Sequence, residues 1–171
     1  DQATEVTISK TDITTGKELP GATLQILKKV KAATDAGEEV EKEETVITIY
    51  GEKLEWKSTG EPKNIKGLPA GEYILRESSA PDGYTVAADV TFTVTDELKA
   101  VETVEMQDAP IETVISKVDM ADTAKELPGA TLQILKKVTA EDGTTSEEIA
   151  VTVYGEKLQW ISGEEAKEIK G

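Results

Sequence analysis

The chain is 171 residues long, 37% hydrophobic, with a formal net charge of −15 and neither Cys nor His. That charge argues against nucleic acid or anionic membrane as a partner, because either is repelled at long range. The missing Cys and His exclude disulfide scaffolds, thiol nucleophiles, Ser-His-Asp triads and the usual zinc sites. No apolar run approaches membrane-spanning length and the N-terminus lacks a signal-peptide pattern, so the expectation is a soluble segment excised from something longer, without a cofactor and without membrane insertion.

In chain order, period-2 runs predict strands at "VTISK", "ATLQILK", "TVITIY", "EYILRE", "DVTFTVTD" and "TVEMQD". They are separated by "ELPGA", "GLPAGE" and "APDGY", whose Pro and Gly suit tight turns. The charged stretch 31–44 reads as a solvated hairpin tip, and its later counterpart carries Asp142-Gly143, a favoured hairpin dipeptide. Short strands with frequent turns predict an all-β sandwich.

The sequence repeats itself. "ISKTDITTGKELPGATLQILKKV" at residues 8–30 returns as "ISKVDMADTAKELPGATLQILKKV" at 115–138, with one residue inserted. After a variable acidic loop, "VITIYGEKLEW" pairs with "IAVTVYGEKLQW" and "KNIKG" at 63–67 with "KEIKG" at 167–171. The first copy continues through residues 68–109, for which the second copy has no counterpart. The predicted organisation is therefore a complete domain over 1–109 and the first part of a second over 110–171. Half a sandwich exposes apolar edge strands, so the second copy is expected to be completed by a partner strand or to be poorly ordered.

Strand parity places three ionisable groups on the apolar face. Val6 and Ile8 put Lys10 inward, Tyr73 and Leu75 put Glu77 inward, and Val104 and Met106 put Asp108 inward. A charged residue that ends a strand ordinarily reaches water at the sheet edge, and a buried Lys-Glu salt bridge is a second ordinary outcome. Convergence of all three is the third. Two carboxylates against one ammonium cannot all stay charged in an apolar interior, and desolvation with like-charge repulsion favours a neutral amine beside a neutral acid. These are a nucleophile and an electrophile, with the remaining carboxyl placed to move protons. Attack of Lys10 on Asp108 with loss of water would join the first and last strands by an amide.

The run "EYILRESSAPDGYTV", with "ISKTDITTGKELPGA" before it and "VEMQDAP" after it, resembles the CnaB-type (collagen-adhesin B-repeat, SpaA-like pilin) domains of Gram-positive surface adhesins and pilins. Their glutamate-containing element, Tyr-x-Leu-x-Glu-Thr-x-Ala-Pro-x-Gly-Tyr, is matched by Tyr73, Leu75, Glu77, Ala80, Pro81, Gly83 and Tyr84, with Ser78 in place of Thr. The resemblance implies a transthyretin-like or reverse immunoglobulin-like β-sandwich, in tandem repeats, holding a spontaneous intramolecular isopeptide bond. Lys10 is then the amine, Asp108 the acceptor and Glu77 the catalytic carboxyl, and an Asp acceptor, where many members use Asn, implies loss of water. In the second copy Lys117 takes the reactive-lysine position but lacks counterparts of Glu77 and Asp108, so it should stay unreacted within this chain.

Residues 98 apart (108 − 10) joined by an amide restrict the unfolded chain by about 4–5 kcal/mol on the loop-entropy account. The link also keeps tension out of the intervening chain and ignores thiol redox conditions. The expected function is a stalk or spacer in an extracellular, cell-wall-anchored adhesin or pilus, self-crosslinking once and otherwise not an enzyme. Its expected partners are neighbouring repeats of the same polypeptide, a strand from another chain completing 111–171, and a host ligand. A second reading is an adhesive module whose acidic loop or "YGEKLEW" contacts a host protein or glycan; the recurrence of Trp56 and Trp160 fits packing better than a sugar platform. Lys63, in "EPKN", is read as an ordinary turn lysine, and the acidic loops show no spaced calcium motif.

Overall fold

A computed structural model describes residues 2–97 and 102–171. It divides into two compact units, Asp1–Ala109 and Pro110–Gly171. In the first unit the strands are β1 (Glu5–Asp12), β2 (Thr23–Ala33), β3 (Glu39–Thr45), β4 (Glu55–Lys57), β5 (Lys63–Lys66), β6 (Gly71–Ser79), β7 (Val90–Val94) and β8 (Glu102–Asp108). One sheet has the order β5-β1-β8; the other runs β3-β2-β6-β7, with β4 also pairing to β2. Alternation along each strand turns one face inward, and the core is shared between the sheets. Val6, Ile8, Ile65, Val104 and Met106 come from the first sheet, and Leu24, Ile26, Tyr73, Leu75, Phe92 and Val94 from the second.

Two pairings position the site. β1 and β8 lie parallel, in the register Ile8↔Val104, Lys10↔Met106 and Asp12↔Asp108. Parallel neighbours cannot be joined by a tight hairpin, and here almost the whole unit is the connection between them. In the other sheet β6 runs antiparallel to β2 with Ile26 opposite Leu75, and an irregularity at Thr23/Leu24 leaves Leu24 opposite Glu77.

The strand predicted at "TVITIY" is not formed. Its place in the sheet is taken by β3, further upstream in the acidic stretch, because β2 extends far enough to set Lys28, Lys29 and Lys31 opposite Glu44, Glu43 and Glu41. Opposite charges across a ladder favour that register. The apolar residues that suggested a strand instead enter a turn closed by Gly51 N–H on Thr48 C=O at 2.9 Å, leaving Ile47, Ile49 and Tyr50 exposed. The hairpin tip itself is where the charge pattern put it, with Gly37 N–H donating to Thr34 C=O.

The second unit has β9 (Glu112–Ile115), β10 (Thr131–Gln133), β11 (Leu135–Thr139), β12 (Thr145–Ile149), β13 (Gln159–Ile161) and β14 (Lys167–Lys170). They pair as β9–β14, β10–β13 and β11–β12. Nothing in this unit corresponds to β6, β7 or β8. The consequence is read at equivalent leucines: Leu27, covered by Ile74 of β6, is 5% exposed, whereas Leu135 is 47% exposed.

The two copies share a glycine at the end of the "KNIKG" and "KEIKG" segments, and Gly67 shows why. Its φ is +74°, and a Cβ there would lie 2.6 Å from Ile49 Cγ1. Gly67→Ala is expected to cost about 1–3 kcal/mol through left-handed strain, measured by denaturant unfolding; an unchanged midpoint would show that the turn relaxes freely.

Candidate functional site

Lys10, Glu77 and Asp108 meet in the core of the first unit, at 2%, 3% and 0% exposure. The strand-end alternative, in which each reaches water, does not occur. Lys10 stands opposite Met106, so Asp108 is its diagonal neighbour two residues along β8, a separation that a long side chain spans. The Lys10 ammonium forms an ion pair with Asp108 Oδ1, and lies 3.4 Å from Oε1 of Glu77, which arrives from the opposite sheet.

The surroundings are short of donors. Glu77 Oε2 accepts a hydrogen bond from Ala87 N–H at 2.7 Å. Glu77 Oε1 and Asp108 Oδ2 are buried without a hydrogen-bond donor among the described residues. A proton on one of the carboxyls is the donor that these oxygens lack, since a protonated carboxyl donates as well as accepts. Burial raises the pKa of Glu77 above the ordinary carboxylate range and the adjacent Asp108 pushes in the same direction, while Ala87 N–H and Lys10 pull against it. Of the carboxyls in the cluster, Glu77 is the one whose surroundings favour the protonated form.

Sequence reasoning missed the supports of this site. Asp12 is also buried, continuing the inward parity Val6, Ile8, Lys10 by one more step. Its Oδ1 accepts from Thr14 N–H at 2.7 Å, and its Oδ2 from the Thr15 and Tyr84 hydroxyls, both at 3.1 Å. Parity alone could have flagged Asp12; the approach of Ala87 to Glu77 is a tertiary contact with no local signal.

Lys117 keeps the local frame of Lys10. Its N–H donates to Glu126 Oε2 at 2.9 Å, as that of Lys10 does to Glu18 Oε2 at 3.1 Å. Lys117 is only half-buried, and among the described residues its side chain has no ion pair. Lys63 lies at the surface, 2.7 Å from Glu52 Oε1 and over the half-buried Trp56 ring at 5.5 Å from the centroid. Among the described residues no group of three His, Cys, Asp or Glu is arranged to hold a metal, and no helix is long and apolar enough to cross a membrane.

The family described as "SpaA: Prealbumin-like fold domain" matches residues 4–110. Among curated proteins none matches the chain at a significant level. Among solved structures, the Bacillus anthracis TIE protein is similar at 22% identity over 99% of this chain and 32% of its own, with a TM-score of 0.45. BcpA, the major pilin subunit of Bacillus cereus, is similar at 23% identity over 68% of this chain and 31% of its own, TM-score 0.45. The shaft pilin SpaA of Lactobacillus rhamnosus GG is similar at 21% identity over 65% and 47%, TM-score 0.44. The chain thus spans between about a third and a half of the length of these proteins.

Removing the cation tests the electrostatics. Lys10→Met leaves two buried carboxyls unpaired, a loss of about 3–5 kcal/mol at neutral pH. With the Glu77 pKa raised in the fold, stability is full below its unfolded value of about 4.3 and is lost as pH rises through the folded value. The variant should therefore unfold at higher denaturant concentration near about pH 4 than near about pH 7; the reverse order would contradict a protonated acid in the core.

Proposed function

The chain belongs to the SpaA prealbumin-like fold domain family, a structural family and not an enzyme family, and from that premise we propose that its first unit is a load-bearing spacer closed by an amide between Lys10 and Asp108. The observation that supports this is the burial of one amine against two carboxyls, with Lys10 Nζ in contact with Asp108 and 3.4 Å from Glu77.

The chemistry balances within the three residues. A proton shared out from the ammonium to a carboxylate leaves a neutral amine and a neutral acid. The Nζ lone pair forms a bond to Asp108 Cγ, one C–O bond of that carboxyl breaks, and the oxygen departs as water with two protons. Glu77 carries the proton from the attacking nitrogen to the leaving oxygen and ends as it began. No oxidant, metal or cofactor enters. The reaction runs once per chain.

The product suits a surface stalk. β1 and β8 are neighbours, so a crosslink there lies between the points at which force enters and leaves the unit, and the chain between them is shielded. A bacterial adhesin or pilus of a Gram-positive cell, outside the membrane and attached to the wall, is the setting in which such shielding is useful. Residues 111–171 are the beginning of a second module, whose apolar face is covered by further strands of the same or another polypeptide; Lys117 is unreacted within residues 111–171, and any acceptor for it comes from those further strands. Trp56 and Trp160, both half-buried and each opposite a leucine, Leu24 and Leu132, fit packing better than ligand contact.

Single-molecule pulling between the chain termini tests the proposal. Lys10 and Asp108 are 98 residues apart, so Glu77→Ala should release about 330 Å of extension that the parent withholds, at about 3.4 Å per residue. Equal extension in parent and variant would refute the spacer.

A further inference from the structure

The loop over residues 80–89 contacts Glu77 directly and reaches residues close in sequence to Lys10 and Asp108. Within it, Gly83 has φ +84° and Tyr84 N–H closes a turn on Pro81 C=O at 3.2 Å, which directs the Tyr84 ring back toward β1. The Tyr84 hydroxyl donates to Asp12 Oδ2 at 3.1 Å, two residues beyond Lys10. Thr85 donates to Ala109 C=O through its N–H at 3.0 Å and through its hydroxyl at 3.2 Å, one residue beyond Asp108. Ala87 N–H reaches Glu77 itself at 2.7 Å, and the Ala87 side chain packs against the core. One short segment thus binds the strand of the amine, the strand of the acceptor and the proton carrier.

We infer that this loop is a brace which holds Lys10, Asp108 and Glu77 in reacting geometry, and that Tyr84 is its positioning residue. The inference rests on the amide reading above and deepens it. Lys10 and Asp108 sit on neighbouring strands of one sheet, but Glu77 belongs to the other, and nothing in the strand ladders fixes the distance between sheets at this end. The brace does so by tying both sheets to one backbone. Asp12 is suited to anchor it because its carboxylate is buried and already held by Thr14 and Thr15. A slackened brace lets Ala87 N–H withdraw from Glu77, which faces Lys10 of β1 and Asp108 of β8. Loss of that donor raises the pH at which Glu77 gives up its proton.

The test uses this chain isolated from insoluble, never-folded material and shown to be at full mass, then diluted into refolding buffers between about pH 5 and about pH 9, with bond formation followed as loss of one water by denaturing mass measurement. Tyr84→Phe removes only the hydroxyl. Its rate should fall about ten- to a hundredfold, as expected for a misplaced catalytic group, and the midpoint of its pH profile should move to higher pH. Thermal unfolding of Lys10→Ala with and without Tyr84→Phe, where no amide can form, separates positioning from folding. A slower rate with a shifted profile and matched melting supports the brace. An unchanged rate in Tyr84→Phe, beside normal bonding of the parent, overturns the brace and leaves the amide reading intact. So does a slower rate with an unshifted profile and a lowered melting temperature. Failure of the parent itself to lose water overturns the amide reading and the brace with it.

Discussion

Burying one ammonium with two carboxyls is expensive, because each charge gives up its hydration and only one cation is present to compensate two anions. A surface pair in the same unit, such as Lys31 with Glu39, loses little water and returns little energy. At Lys10, Glu77 and Asp108 the balance is different, and two carboxyl oxygens lack any donor among the described residues. An interior of this kind relaxes by moving a proton, and a neutral amine against a neutral acid relaxes further by forming an amide. The feature that would make the cluster a weak stabiliser as a salt bridge is the one on which the proposed amide rests.

That centre depends on topology as much as on residue type. The amine and the acceptor are far apart in sequence and come together because β1 and β8 pair in parallel, with Asp108 one diagonal step from Lys10. Glu77 comes from β6, in the facing sheet, and reaches the pair only because both sheets share one apolar layer. Closing the first strand on the last is also what would make the proposed crosslink mechanically relevant, since a bond between two internal strands would leave more of the chain free to extend.

Parity carried much of this from sequence alone. Val6, Ile8 and Lys10, then Tyr73, Leu75 and Glu77, then Val104, Met106 and Asp108 each form a ladder whose last rung is ionisable, and all three last rungs are buried. Pairing partners were not legible in the same way. "TVITIY" has the composition of a strand, yet the sheet position went to an acidic segment whose glutamates match the lysines of β2 across the ladder. Such a match is visible only once the partner strand is known. Asp12 was within reach of the parity argument, while the contact of Ala87 with Glu77 depends on how a loop folds back over the sandwich.

The second unit supplies an internal comparison. Lys117 has the backbone frame of Lys10 and near-identical neighbours, yet it is only half-buried, so the lysine strand by itself does not create the reactive environment. Lys10 is buried in the unit that has the strands of Glu77 and Asp108. The most direct test of the account is the intact mass of the chain under denaturing conditions, beside Lys10→Ala and Glu77→Ala. The account predicts a parent lighter than its sequence by one water and both variants at full mass. A parent at full mass would contradict it.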